Sequence, residues 1–116
     1  MKSLKKKLNL KENEKKALDE LKKKITERFS DVEIILYGSK ARGDADEESD
    51  IDVLILLNRD VDDRLREDIF VLSFEIELKY DVVFGILVES RTFWNSSLAK
   101  AMPIHWNIDR EGIILR

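Results

Sequence analysis

Apolar residues recur at two different spacings along these 116 residues, and each change of spacing marks a new element. Between residues 9 and 29, Leu18, Leu21, Ile25 and Phe29 fall three or four apart, which predicts an amphipathic helix. Asn9 and Glu12 are spaced like a capping box at its start. The intervening Lys and Glu residues read as a solvated outer face carrying i,i+4 ion pairs. Val32 to Tyr37 is a short run of branched and aromatic residues closed by Gly38, the signature of a buried strand. Ile51 to Leu57 is a second such run. The polar segment between them, SKARGDADEES, has room for a turn or two of helix and a loop. From about Asp62 the helical spacing returns, with Leu65, Ile69, Leu72 and Ile76 on one side.

The end of that helix can be read in two ways. From Phe74 the string FEIELKYD alternates apolar and polar, as a strand does, yet Ile76 also keeps the helical stripe in register. The preferred division is helix to about Lys79 and strand from Asp81 to Val88. Ser90 then caps a short helix through Trp94 to Leu98. The stretch AMPIHWNIDREGIIL reads as a loop or short helix closed by a terminal β segment. Helices alternating with strands predict an α/β (α+β) fold in which a small β-sheet is flanked by helices. No repeat or linker divides residues 1–116, so one domain is expected.

Composition narrows the function. Lys+Arg number 21 and Asp+Glu 24, so the net charge is -3 and the basic excess of a bulk nucleic-acid binder is missing. Cysteine is absent, which removes disulfides and thiolate metal sites and fits a reducing cytoplasm. No apolar stretch has the length of a signal segment or a membrane span. A soluble, cytoplasmic protein without a membrane partner is expected.

The chemistry lies in Tyr37 to Leu57, YGSKARGDADEESDIDVLILL. Gly38 ends a strand and Ser39 begins a helix, so backbone N–H groups and a hydroxyl meet where a phosphate can sit. Lys40 and Arg42 add positive charge within a turn. Asp50 and Asp52, two apart at the start of a strand, point to one face with Cα atoms roughly 6 to 7 Å apart. Both carboxylates can lean on one or two hard cations, Mg2+ or Mn2+. The rest of the strand is apolar on both faces, where carboxylates without compensation are costly.

Gly38-Ser39, ten residues, then Asp50-Ile51-Asp52 resembles the signature of the DNA polymerase β-like nucleotidyltransferase superfamily. The fuller string GSKARGDADEESDIDVLI is similar to its minimal nucleotidyltransferase branch, as are YDVVFGILVE and the closing DREGIIL. The resemblance implies the palm core of that superfamily and a mixed sheet. It implies catalytic metal ions, two of Mg2+, on Asp50 and Asp52, with a third carboxylate on a neighbouring strand. Asp81 matches that third position, Glu75 or Glu77 being its rivals if the strand begins at Phe74. Gly38 and Ser39 would grip the triphosphate and Arg42 would stabilise the departing pyrophosphate.

A chain of this length lacks the extra domains that a polymerase needs to hold template and primer, so no templated nucleic-acid substrate is expected. Members of the minimal branch are commonly partnered with a helical HEPN ribonuclease toxin, and act as antitoxins by moving AMP from ATP to a toxin tyrosine. The resemblance implies the same here. The alternatives are transfer to a small molecule of the aminoglycoside type, and a non-catalytic antitoxin that acts by binding alone. His105 has only Asp109 at ligand-like spacing, and Trp94 and Trp106 read as packing residues. The basic N-terminal KSLKKK reads as a frayed, solvated end.

Overall fold

Leu18, Leu21 and Ile25 are shut away from solvent along one face of α1 (Glu12–Arg28), as their spacing requires. The computed structural model describes residues 2–3, 10–44 and 49–115. β2 (Val32–Tyr37) leads to the four-residue α2 (Ser39–Arg42), and β3 (Ile51–Leu57) to α3 (Asp63–Tyr80). β4 (Phe84–Ser90) is followed by α4 (Arg91–Trp94), α5 (Ser97–Lys100), α6 (Pro103–Glu111) and β5 (Ile113–Leu115). β2 runs antiparallel to both β3 and β5, and β4 runs parallel to β3 across the α3 crossover. This mixed four-strand sheet is extended by β1 (Lys2–Ser3), giving the order β1-β5-β2-β3-β4.

The sheet is covered on both faces. Ile34, Leu36, Val53, Ile55 and Leu57 pack with α1 and α3, whereas Ile35, Leu54 and Leu56 pack with Trp94 and Ile108 from α4 and α6. Side chains alternate along a strand, so β2 and β3 feed two cores at once and read as continuous apolar runs.

Several boundaries differ from the sequence expectation. α3 continues to Tyr80 and β4 starts at Phe84, so Asp81 is a helix cap and not the first strand residue. FEIELKYD looked alternating because Phe74 and Leu78 stay exposed on the outer side of α3 while Ile76 turns inward. Ser90 does cap a helix, accepting from Phe93 N–H, but the helix stops at Trp94 and Ser96 caps a separate turn. Lys2–Ser3 pair with β5 in parallel and are not frayed. The expected cap at Asn9 lies outside the described residues. α1 begins at Glu12, where Glu14 accepts the Lys11 backbone N–H at 2.8 Å.

Glu14 also binds the ammonium of Lys40 at 2.6 Å, with both side chains buried. Lys40 therefore points away from the phosphate seat that its sequence position suggested. It ties α2 to α1. Burial alone would raise the Glu14 carboxyl, but the bonds from Lys40 and the Lys11 backbone outweigh it and hold the group below its ordinary value of 4.5. A lowered folded-state value means that this carboxylate contributes fully above the unfolded value and loses its contribution as pH falls through the lower folded one. Replacing only one partner leaves a buried charge alone, at a cost of about 3–5 kcal/mol. Glu14→Gln and Lys40→Met should each lose that much in urea unfolding, and the Glu14→Leu/Lys40→Met pair should recover most of it. Below about pH 4.5 the difference between native and Glu14→Gln proteins should shrink; a gap constant with pH would exclude this role for the pair.

Candidate active site

An aspartate fits at the mouth of β3 only because its neighbours leave room. Register sets Asp52 between Tyr37 of β2 and Gly85 of β4. It shares the face of Leu54 and Leu56, so it points to the α4–α6 side of the sheet. A Cβ on Gly85 would lie 2.5 Å from Asp52 Oδ1, and one on Gly38 would overlap Asp52 Oδ2. Gly38 also holds φ at +75°, a conformation that side chains other than glycine's strain to adopt. The two glycines form a cradle around one carboxylate.

Asp52 opens into a cleft of about 480 Å³. The end of β2 and α2 contribute Tyr37, Gly38, Ser39 and Arg42, and α6 contributes Ile104, Asn107 and Glu111. Arg42 donates from Nη1 to Glu111 Oε1 and Oε2 at 3.2 and 3.1 Å and from Nε to Asp44 at 3.2 Å. Burial pushes the Asp52 carboxyl above its ordinary value, and the Asp50 charge adds to it. Arg42 opposes that shift and Glu111 reinforces it. Tyr37 is likewise raised, by burial first and by Asp52 second, so its phenol stays protonated.

Asp50 stands one residue ahead of β3 and is exposed, close enough for its charge to act on Asp52. Asp50 is not among the residues that line the cleft, but its charge and that of Asp52 leave this end of β3 anionic, which fits a hard divalent cation. Among the described residues no group of three or more His, Cys, Asp or Glu converges for a metal. Two protein carboxylates suit Mg2+, which completes its shell with water and substrate phosphates.

Asp81 is not in this cleft. It lines a separate hollow with Asn13, Glu14, Ser49 and Ile51, toward the α1–α3 side. Its φ of 56° ends α3 in the left-handed region, its N–H bonds Glu77 O, and Asn13 Nδ2 donates to the carbonyls of Tyr80 and Asp81 at 2.9 and 3.4 Å. Opposite Asp52, β4 offers Gly85 instead of a carboxylate. Glu75 and Glu77 lie on α3, where Glu77 accepts the Phe84 N–H at 2.7 Å. The carboxylate that does share the cleft is Glu111, which sequence reasoning missed: it meets Arg42 from 69 positions away. Its only signal was the spacing of Ile104, Asn107 and Glu111 on one helix face.

His105 is structural. It is buried, stacks on Trp94 at 4.3 Å between ring centroids, and meets Trp94 O at 2.9 Å and Asp109 Oδ2 at 3.1 Å. Trp94 is core, whereas Trp106 is 71% exposed with Arg110 over its ring.

The stretch that carries this site matches a known family. The family model for the nucleotidyltransferase domain covers residues 18–105, and this chain belongs to that family and is a nucleotidyltransferase. It is 40% identical over 107 residues to a Methanocaldococcus jannaschii protein provisionally named protein adenylyltransferase MJ0604. That match spans 89% of this chain and 98% of the relative. A second protein of that organism, provisionally named protein adenylyltransferase MJ0141, is 37% identical over 81 residues, 68% of this chain and 82% of the relative.

Gly85→Ala should displace the Asp52 carboxylate and lower turnover by about 10²-fold, the scale expected for a reacting group moved by an ångström. Its melting temperature should change little. Unaltered turnover in a folded Gly85→Ala protein would show that the cradle is dispensable.

Proposed function

We propose that this nucleotidyltransferase moves AMP from ATP to a hydroxyl of a partner protein, a tyrosine of a HEPN ribonuclease toxin, and so serves as its antitoxin. The observation that carries the transfer is the single cleft that joins Asp52 to Ser39 and Arg42. The names of the two relatives favour a protein as acceptor. The HEPN partner rests on the family resemblance of the GSKARGDADEESDIDVLI string.

The geometry supports the following roles. Asp50 and Asp52 would hold Mg2+, or Mn2+ in its place, and such ions when bound offset triphosphate charge and make the attacking hydroxyl more acidic. Ser39 offers a hydroxyl to the phosphates. Arg42, already oriented by Glu111, meets the charge that gathers on the leaving pyrophosphate. The acceptor oxygen bonds to the α-phosphorus, the bond from that phosphorus to the bridging oxygen of the β-phosphate breaks, and the hydroxyl proton is released. Tyrosine suits the acceptor role, since its hydroxyl ionises near pKa ~10. Asp81, in its separate hollow, is assigned a lesser part than Asp52. No helix of the described residues is long and apolar enough to cross a membrane.

Incubation with Mg2+, α-labelled ATP and the candidate toxin should label the toxin. Asp52→Asn should reduce labelling by about 10²–10³-fold, on the scale of a lost electrostatic contact to the transition state. Asp81→Asn should retain far more activity. Equal labelling by Asp52→Asn would overturn the site. Labelling of an aminoglycoside in place of the toxin would redirect the substrate, and toxin neutralisation undiminished in Asp52→Asn would show action by binding alone.

A further inference from the structure

β4 is the last strand of the sheet, and among the described residues no strand pairs with its outer side. Val83 O bonds the Ile51 N–H of β3, so the backbone groups of Phe84, Ile86 and Val88 point the other way, out from the sheet. α3 meets two of them. Glu77 accepts the Phe84 N–H at 2.7 Å, and Arg66, which also pairs with Glu89, donates from Nη2 to Val88 O at 3.2 Å. Ile86, midway between, has neither strand nor side chain on its outward N–H and C=O among the described residues. These two contacts set α3 antiparallel to β4, and Arg66, Phe70, Phe74 and Glu77 follow one another along one side of the helix. Between the polar ends, Phe70 is 44% and Phe74 57% exposed. The edge is thus blunted at both ends and open at its centre, beside two uncovered rings.

We propose that this face receives a second copy of the chain, the two β4 strands pairing antiparallel about a two-fold axis at Ile86. In such a ladder Ile86 exchanges both of its bonds with Ile86 of the copy, and Phe84 comes opposite Val88 of the copy. The Phe84 N–H and the Val88 carbonyl, held by Glu77 and Arg66 in the single chain, then bond each other across the interface. Glu77 is left facing Arg66 of the copy, a carboxylate against a guanidinium, and the axis repeats the pair at the other end. Phe70 and Phe74 lie about the midpoint of α3 between those charges, so the same axis brings the rings of the two copies together. A face with opposite charges at equal distances from one open backbone pair is complementary to itself, as an isologous dimer requires. An unrelated partner needs no such match. Ile86 and Val88 lie in the core on the α1–α3 side, whereas Asp52 faces α4–α6, so the cleft stays open in the dimer.

Sedimentation of the native chain should show a monomer–dimer equilibrium. Phe74→Asp should raise the dissociation constant by at least about tenfold, as for an aromatic anchor lost from the centre of an interface. Arg66→Glu alone and Glu77→Arg alone each set like charges opposite one another at both ends, and both should sediment as monomers. Mixed together, the two variants have opposite charges at both ends and should form a heterodimer. Phe74 is exposed, so its variant tests the face even if Glu77→Arg disturbs the turn before β4. A native chain that stays monomeric at millimolar concentration, a dimer indifferent to Phe74→Asp, or a mixture no more associated than its components would each overturn the pairing. A monomeric native chain that binds the candidate toxin and loses that binding in Phe74→Asp would give the face to the toxin and exclude the second copy.

Discussion

One carboxylate at the mouth of a strand buried on both faces is the constraint on which this molecule turns. Asp52 has Tyr37 on one flank and Gly85 on the other, and only the missing side chains of Gly38 and Gly85 leave it space. β3 is rigid because it feeds two cores, so the carboxylate cannot drift to escape its own desolvation. Its raised affinity for a proton is the cost of that fixity, and the same electrostatic strain favours a cation there. The cleft, the α6 wall and the Ser-Arg turn are arranged around that immobile group.

The turn itself is held by two ion pairs of different character. Lys40 is buried against Glu14 and fastens α2 to the first helix. Two residues on, Arg42 is 46% exposed in side chain and paired with Glu111 at the cleft. The Glu111 side chain is only 13% exposed, so the pair is open to solvent on the arginine side alone. The buried pair cannot be exchanged without a large loss. Of the two cations of this short helix, one is thus buried as an anchor and the other is left at the cleft.

Much of this was legible in the chain. β2, β3 and the stripe of α1 follow from apolar spacing, and the gathering of Gly38, Ser39 and Asp52 at one cleft from their order along the chain. What spacing could not show was decided by tertiary contact. Lys40 looked like one more positive charge beside the phosphate seat because nothing local reveals Glu14 beneath it. Asp81 looked like a strand opening because apolar residues on the outer face of α3 imitate period-two alternation. Gly85 and Glu111 gain their meaning only when the parallel crossover and α6 bring them beside residues 33 and 69 positions away.

The pairing of Lys2 with Ile113 sets the first strand and the last side by side, about 4.8 Å apart. This pairing joins residues far apart along the chain and so carries a large loop-closure cost. It also lies at the far margin of the sheet from β4, across β2 from Asp52. β1 thus lengthens the sheet on the side away from the cleft, whose geometry is set by β2, α2, β3 and α6.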